Sequence, residues 1–124
     1  YPDAGEPWQI QKVYWSAWSR TRILALHTAF GELGLESPFD DRWFDRPDQD
    51  HRLTTFIDVS GLYHVRKGAL RAHATQIDPK SFFFTTPMEW QQRLWPTEEF
   101  ELARSRVPVR LPESALFAGI EGRP

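Results

Sequence analysis

Ten prolines in 124 residues limit the length of every regular element this chain can form, because each fixes its own φ and removes a backbone donor. They are densest in the second half. Pro79, Pro87, Pro96, Pro108 and Pro112 cut it into "SFFFTTP", a short helix "MEWQQRLW", then "PTEEFELARSRV" and a last apolar piece "ALFAGI". A tail built this way wraps a body, and wrapping segments often form the rim of a site. Nine Phe, six Trp and three Tyr supply that body, since disordered chains are poor in aromatics.

Upstream, residues 8–15, "WQIQKVYW", alternate Trp8, Ile10 and Val13 with polar residues and read as a strand. Ser19 then caps a helix whose apolar positions Ile23, Leu26, Phe30 and Leu33 recur at steps of three and four, with Gly34 as its stop. Residues 36–52 carry two prolines and dense charge, an exposed loop anchored by Phe39, Trp43 and Phe44. "LTTFIDV" after it has the β-branched and aromatic content of a short strand. No repeat and no linker divides the chain, so residues 1–124 form one domain-sized unit, small for a complete α/β enzyme. The first residue is Tyr1 in a Pro/Gly/Asp stretch, which reads as a cut in an exposed loop of a longer chain.

Fifteen basic and 17 acidic side chains leave a formal net charge of -2, which argues against nucleic-acid binding and against attraction to an anionic membrane. No apolar stretch is long enough to span a bilayer, and "YPDAGEPWQ" has no signal-peptide character. The lack of cysteine excludes disulfides and thiolate metal sites, and fits a cytoplasmic setting.

A second helix is expected over residues 60–76. At about 100° per residue, Leu62, Val65, Ala69 and Ala72 share one face, and Lys67, Arg71 and His64 the other. His73 and Gln76 continue the apolar stripe at steps of four and three, so both are expected to point inward at the helix end. Such a pair either lines a pocket or is a core polar pair satisfied by neighbouring backbone.

Other candidates are weaker. His27, His51, His64 and His73 show no close metal-ligand spacing. "RPDQDH", residues 46–51, places acids beside a histidine, but within the charged loop, where a solvated surface is the simpler reading. Glu98, Glu99 and Glu101 followed by Arg104 and Arg106 fit ordinary pairing on a helix surface. A phosphate-binding glycine loop, a G-x-S-x-G elbow and a nucleophilic cysteine are absent from the sequence.

Several blocks of the chain nonetheless carry a resemblance. "AHATQIDPKSFFF", "WPTEEFELARSRV" and "LFAGI", preceded in order by "GEPWQIQKVYW", "SRTRILALH", "LGLESPF" and "DRPDQDHRLTT", resemble the C-terminal part of the mycothiol S-conjugate amidase group, within the LmbE-like (PIG-L) family of zinc-dependent deacetylases and amidases. "AHATQ" is shared with the related deacetylase of mycothiol biosynthesis, whereas "DPKSFFF" to "WPTEEFELARS" looks specific to the amidase branch.

The resemblance implies the C-terminal portion of a Rossmann-like α/β fold, with strands, two main helices and a segmented proline-rich tail. It also implies a zinc ion whose ligands belong to H-P-D-D and H-P-D-H type motifs. Neither occurs here. "RPDQDH" has Arg46 where the family's His stands and falls in a different block, so no metal ligand and no catalytic base is assigned to this chain. What remains is substrate contact. The resemblance gives that role first to Gln76, whose amide both donates and accepts, with His73 orienting the pocket and Phe82, Phe83, Phe84 and Trp95 as apolar walls for the group carried on the thiol. The implied partner is the N-terminal part of the same enzyme as a second polypeptide, with room for homo-oligomers. The implied use is detoxification of thiol conjugates or antibiotic biosynthesis in an actinomycete. A GlcNAc deacetylase and a non-catalytic module binding a sugar-thiol or a protein are the alternatives.

Overall fold

The computed structural model describes residues 2–120. Three strands, β1 (Lys12–Ala17), β2 (Thr55–Asp58) and β3 (Thr97–Ser105), form one sheet in the order β1-β3-β2, antiparallel throughout. Helix α1 (Arg20–Glu32), the one-turn helices α2 (Asp41–Phe44) and α4 (Phe82–Thr85), α3 (Tyr63–Ala72) and α5 (Met88–Leu94) complete a mixed α/β unit. None of these helices is long and apolar enough to cross a membrane.

The capping chemistry of α1 follows its sequence. The Ser19 hydroxyl accepts from the Arg22 N–H at 3.1 Å, closing the first turn. At the other end Gly34 adopts φ +64°, and the Leu35 and Gly34 amides donate to the carbonyls of Phe30 and Gly31 at 2.9 and 3.0 Å, a Schellman ending that favours glycine. Between these caps Ile23, Leu26 and Phe30 are buried and join Phe39, Tyr63 and Trp95 in the core. Trp18, Trp43, Phe44, Phe82 and Phe83 pack around them, so the aromatic anchors of the charged loop are where the sequence puts them.

Three expectations are corrected. The first strand begins at Lys12, four residues later than read, because Lys12 is the last residue with a partner on β3, opposite Ser105; Trp8 and Ile10 are exposed. "TEEFELARS" is the central strand of the sheet and not a helix surface. Its alternation puts Phe100 and Leu102 on one face and Glu99 and Glu101 on the other, where Arg22 and Arg52 pair with them at 3.1 and 2.8 Å. The second helix ends at Ala72 and sits the other way round from the expected stripe. Tyr63 is buried against the core, while Leu62 and Val65 are each more than half exposed and Ala69 and Ala72 face outward with them. What anchors Tyr63 inward is its hydroxyl, which donates to the Trp95 carbonyl.

The tail closes on the far edge of the sheet. The Phe56 amide donates to the Glu113 carbonyl at 2.9 Å, and the Glu113 amide donates to that of Thr54 at 2.9 Å. The Glu113 carboxylate, buried, accepts from Lys12 Nζ and, at 2.8 Å, from the Tyr14 hydroxyl. Burial opposes the charge on Lys12, but its hydrogen bonds to Glu113 and Tyr14 outweigh that and raise its pKa above the ordinary lysine value.

Arg22 joins helix to sheet. Its side chain is 3% exposed, and its guanidinium pairs with Glu99, donates to the Thr97 carbonyl and lies 4.6 Å over the Trp95 ring. Breaking a buried pair from one side leaves the other charge uncompensated, at a cost of about 3–5 kcal/mol. Arg22→Met is therefore expected to lower unfolding free energy by roughly that amount in urea titrations; a change within experimental error would show that Glu99 finds water instead.

Candidate functional site

Of the residues singled out from the sequence, His73 and Gln76 lie at the end of α3 and the three phenylalanines on the segment that follows it, while Trp95 follows α5. His73 terminates the helix, its amide donating to the Leu70 carbonyl at 3.2 Å, and its own carbonyl accepts from the Gln76 and Ile77 amides at 2.8 and 3.0 Å. This tight turn is satisfied by backbone alone. Both side chains are exposed, and neither has a hydrogen-bond partner among the described residues. The inward orientation expected for the pair is thus corrected, and so is the reading of both as satisfied core groups. The physical reason is the orientation of α3: residues continuing its apolar stripe continue it on the outer side.

Asp78 then turns the chain, its carboxylate accepting from the Lys80 amide at 2.8 Å and its carbonyl from the Ser81 amide at 2.9 Å. The three phenylalanines fan out from the short helix α4. Phe82 stacks on Phe83 at 4.1 Å between centroids and meets Phe30, Phe39 and Trp18 at 6.0–6.3 Å, which makes it part of the aromatic core. Phe83 lies beneath the Arg66 guanidinium at 5.3 Å. Phe84 turns away and lines a groove of about 300 Å³ beside Leu70 and Ile77. Trp95, expected as a pocket wall, is 1% exposed in the centre of the core, gripped by Trp18 at 4.5 Å and by the guanidiniums of Arg22 and Arg66. Phe84 is half-buried on this groove, while Phe83 and Trp95 border other depressions, Phe83 beside Tyr63 and Gln91 and Trp95 beside Pro96 and Thr97.

A feature that sequence reading passed over is Gln91. It is buried, and its amide donates to the carbonyls of Thr86 and Phe83 at 2.9 and 3.3 Å, locking α4 onto α5. Its position four residues before Trp95, on the same face of a short helix, was the available signal.

The charged loop forms a second depression, about 490 Å³, between Trp18, Trp43, Arg46 and Asp50. Its acid is occupied structurally. The Asp50 carboxylate accepts from the Arg20 and Thr21 amides at 2.6 and 3.0 Å and from the Thr21 hydroxyl at 2.8 Å, adding to the Ser19 cap. His51 is exposed. His27 meets Ser37 at 2.8 Å and the edge of Phe44, so its imidazole packs α1 against the loop. Among the described residues no three histidine or carboxylate side chains stand close enough to hold a metal ion. Among the described residues the groups present do not by themselves form a zinc site.

At the candidate positions the described residues offer exposed hydrogen-bonding groups and an apolar groove. By sequence the chain is homologous to enzymes that hydrolyse amides, matching a C-terminal part of them. The relatives are a mycothiol S-conjugate amidase of Streptomyces coelicolor, 46% identical over 97% of this chain, and 1D-myo-inositol 2-acetamido-2-deoxy-alpha-D-glucopyranoside deacetylases of Streptomyces scabiei and Geodermatophilus obscurus, 40% and 36% identical over 98% of it. The chain covers 43%, 40% and 43% of those relatives' lengths. No family model and no solved structure matches it.

Partial burial disfavours the ionised form of Asp50, but the hydrogen bonds from Thr21 and Arg20 outweigh it and hold its pKa below the ordinary carboxylate value. A depressed folded pKa means that its contribution is full above the unfolded pKa and is lost as pH falls through the folded one. Asp50→Ala is expected to cost about 1 kcal/mol near neutral pH, in the range of helix caps. The difference between variant and parent should shrink in acid unfolding curves, and a constant difference down to the lowest pH would exclude this role.

Proposed function

We propose that this chain is the C-terminal portion of a zinc-dependent amidase that hydrolyses the cysteinyl-glucosamine amide of mycothiol S-conjugates, acting with an N-terminal portion of the same enzyme as a second polypeptide. The observation that carries this is the 46% identity to an amidase of that name across 97% of the chain. The zinc ligands and the base would belong to the N-terminal portion, as would most of the parallel sheet of an LmbE-like (PIG-L), Rossmann-like fold. When bound, zinc supplies Lewis-acid polarisation of the amide. This chain supplies substrate contacts, in a cytoplasmic setting, for detoxification or antibiotic biosynthesis.

Two features support the division. Leu62, Val65, Ala69 and Ala72 turn an apolar stripe outward, as a helix does when more of a fold packs over it. Gln76 and His73 extend that side with unpartnered polar groups, suited to a substrate held between the two portions. Gln76 would orient the substrate by a hydrogen bond, with His73 beside it and Phe84 on the neighbouring groove.

The deacetylase reading rests on the 40% identity to the Streptomyces scabiei enzyme and is separated by substrate. With the assembled protein, release of glucosaminyl-inositol from an S-alkylated mycothiol should exceed release of acetate from the N-acetylglucosaminyl-inositol; the reverse order would give the chain to the deacetylases. In the same assembly Gln76→Ala is expected to lower turnover roughly two- to tenfold, the loss of a neutral hydrogen bond of about 0.5–1.5 kcal/mol. Zinc content should stay at the parent value, and loss of the metal would put Gln76 in the wrong role.

A further inference from the structure

The groove that Phe84 opens onto has a chemistry of its own. Leu70, Ala74, Ile77, Pro79 and Phe84 give it an apolar lining. Its volume of about 300 Å³ stands at the lower end of small-molecule sites, about 300–1,000 Å³. Lys67 and Arg71 line one side. They are four residues apart on α3, so they stand as neighbours on one helix face, where two like charges repel. Neither has an ion pair or side-chain hydrogen bond among the described residues, which holds also for Arg104 and Arg106; what sets this pair apart is its place together on an apolar groove. Asp78 lies next in sequence to Ile77, but its carboxylate accepts from the Lys80 amide instead.

A cation near a helix C-terminus is favoured by the helix dipole, which accounts for Arg71 alone. It does not account for two uncompensated cations beside an apolar trough. An apolar body with one anionic end satisfies both, burying its hydrocarbon on Leu70, Ile77 and Phe84 while its charge sits between the ammonium and the guanidinium.

We propose that the groove between the end of α3 and α4 is a binding site for a small apolar carboxylate, its aryl or alkyl body on the apolar lining and its carboxylate held by Lys67 and Arg71. A neutral analogue leaves the two cations uncompensated, and a short acid such as acetate leaves the lining wet. Amide hydrolysis releases a carboxylic acid, and the thioether acids cut from S-conjugates fall in this class. That link alone rests on the amidase reading.

The test needs no turnover, so its outcome is independent of the amidase assay. The assembled protein, with this chain ¹⁵N-labelled and the other portion unlabelled, is titrated with 3-phenylpropanoate, 3-phenylpropan-1-ol and acetate, and amide shifts are followed by NMR. The acid is expected to give saturable shifts confined to residues 67–77 and 84, the alcohol to bind at least tenfold more weakly, and acetate to give no saturation. Lys67→Met with Arg71→Met should reduce the acid to the affinity of the alcohol. Arg71→Gln, at an exposed position, should weaken it by itself while the rest of the spectrum stays unchanged. Equal affinity for acid and alcohol, shifts spread elsewhere on the surface, or no saturable shift with the acid would each overturn the site.

Discussion

A buried guanidinium holds this molecule together. Arg22 projects from the first turn of α1 to Glu99 and the Thr97 carbonyl on the central strand, and its flat face covers Trp95. Burial lowers its pKa, and Glu99 and Glu98 push back toward the charged form. Arginine suits the place because its planar group can donate in plane to oxygen and stack on an indole at once, which a lysine ammonium cannot. With Arg22 so placed, Trp95 is closed from one side by Arg22 and from another by Arg66, at 4.1 Å. The Trp95 carbonyl then receives the Tyr63 hydroxyl, which fixes which face of α3 turns inward.

From that last contact follows the outward presentation of His73 and Gln76. A rotation of α3 that buried Leu62 and Val65 would withdraw Tyr63 from Trp95 and leave a buried carbonyl without its donor, a cost comparable to a lost hydrogen bond. The helix therefore exposes aliphatic side chains within this chain, and His73 and Gln76 are delivered to the same outer side. On the helix's other flank Lys67 and Arg71 border the groove lined by Leu70 and Phe84. One inward tyrosine thus sorts the helix into a core edge, a cationic groove edge and an apolar outer face.

Local signals were readable where local chemistry decides. The Ser19 cap, the 3.6-residue spacing from Ile23 to Phe30 and the Gly34 stop define α1 from sequence because all their partners lie within a few residues. Phe39, Trp43 and Phe44 were legible as anchors because aromatics in a charged loop have few other uses. "TEEFELARS" misleads for the opposite reason: acids followed by arginines fit a helix surface, and the pairing that makes it a strand comes from β1 and β2, about 40 to 90 residues upstream. The direction of the α3 stripe was illegible in the same way. Periodicity gives which residues share a face, but the Tyr63–Trp95 contact, 32 residues apart, decides which face is in. The helix end and the FFF segment were legible as local elements; the outward orientation of His73 and Gln76 and the burial of Trp95 in the core were not.

The tail shows why a proline-cut sequence can still close a sheet with few regular elements. Residue 113 needs no strand of its own; its backbone hydrogen bonds to Thr54 and Phe56 cover the edge of β2, which would otherwise invite pairing with another chain. Its carboxylate is then fixed by Lys12 and Tyr14 from β1, at the opposite edge, so the contact reaches across the sheet. A buried ion pair contributes little net stability against an apolar replacement, but it rejects registers that leave either charge alone. An apolar staple could slide by a residue or two along the sheet; Glu113 cannot without abandoning Lys12. The charged contact therefore sets the position of the wrapping segment, while the aromatic core on the other side of the molecule supplies the bulk of the apolar burial.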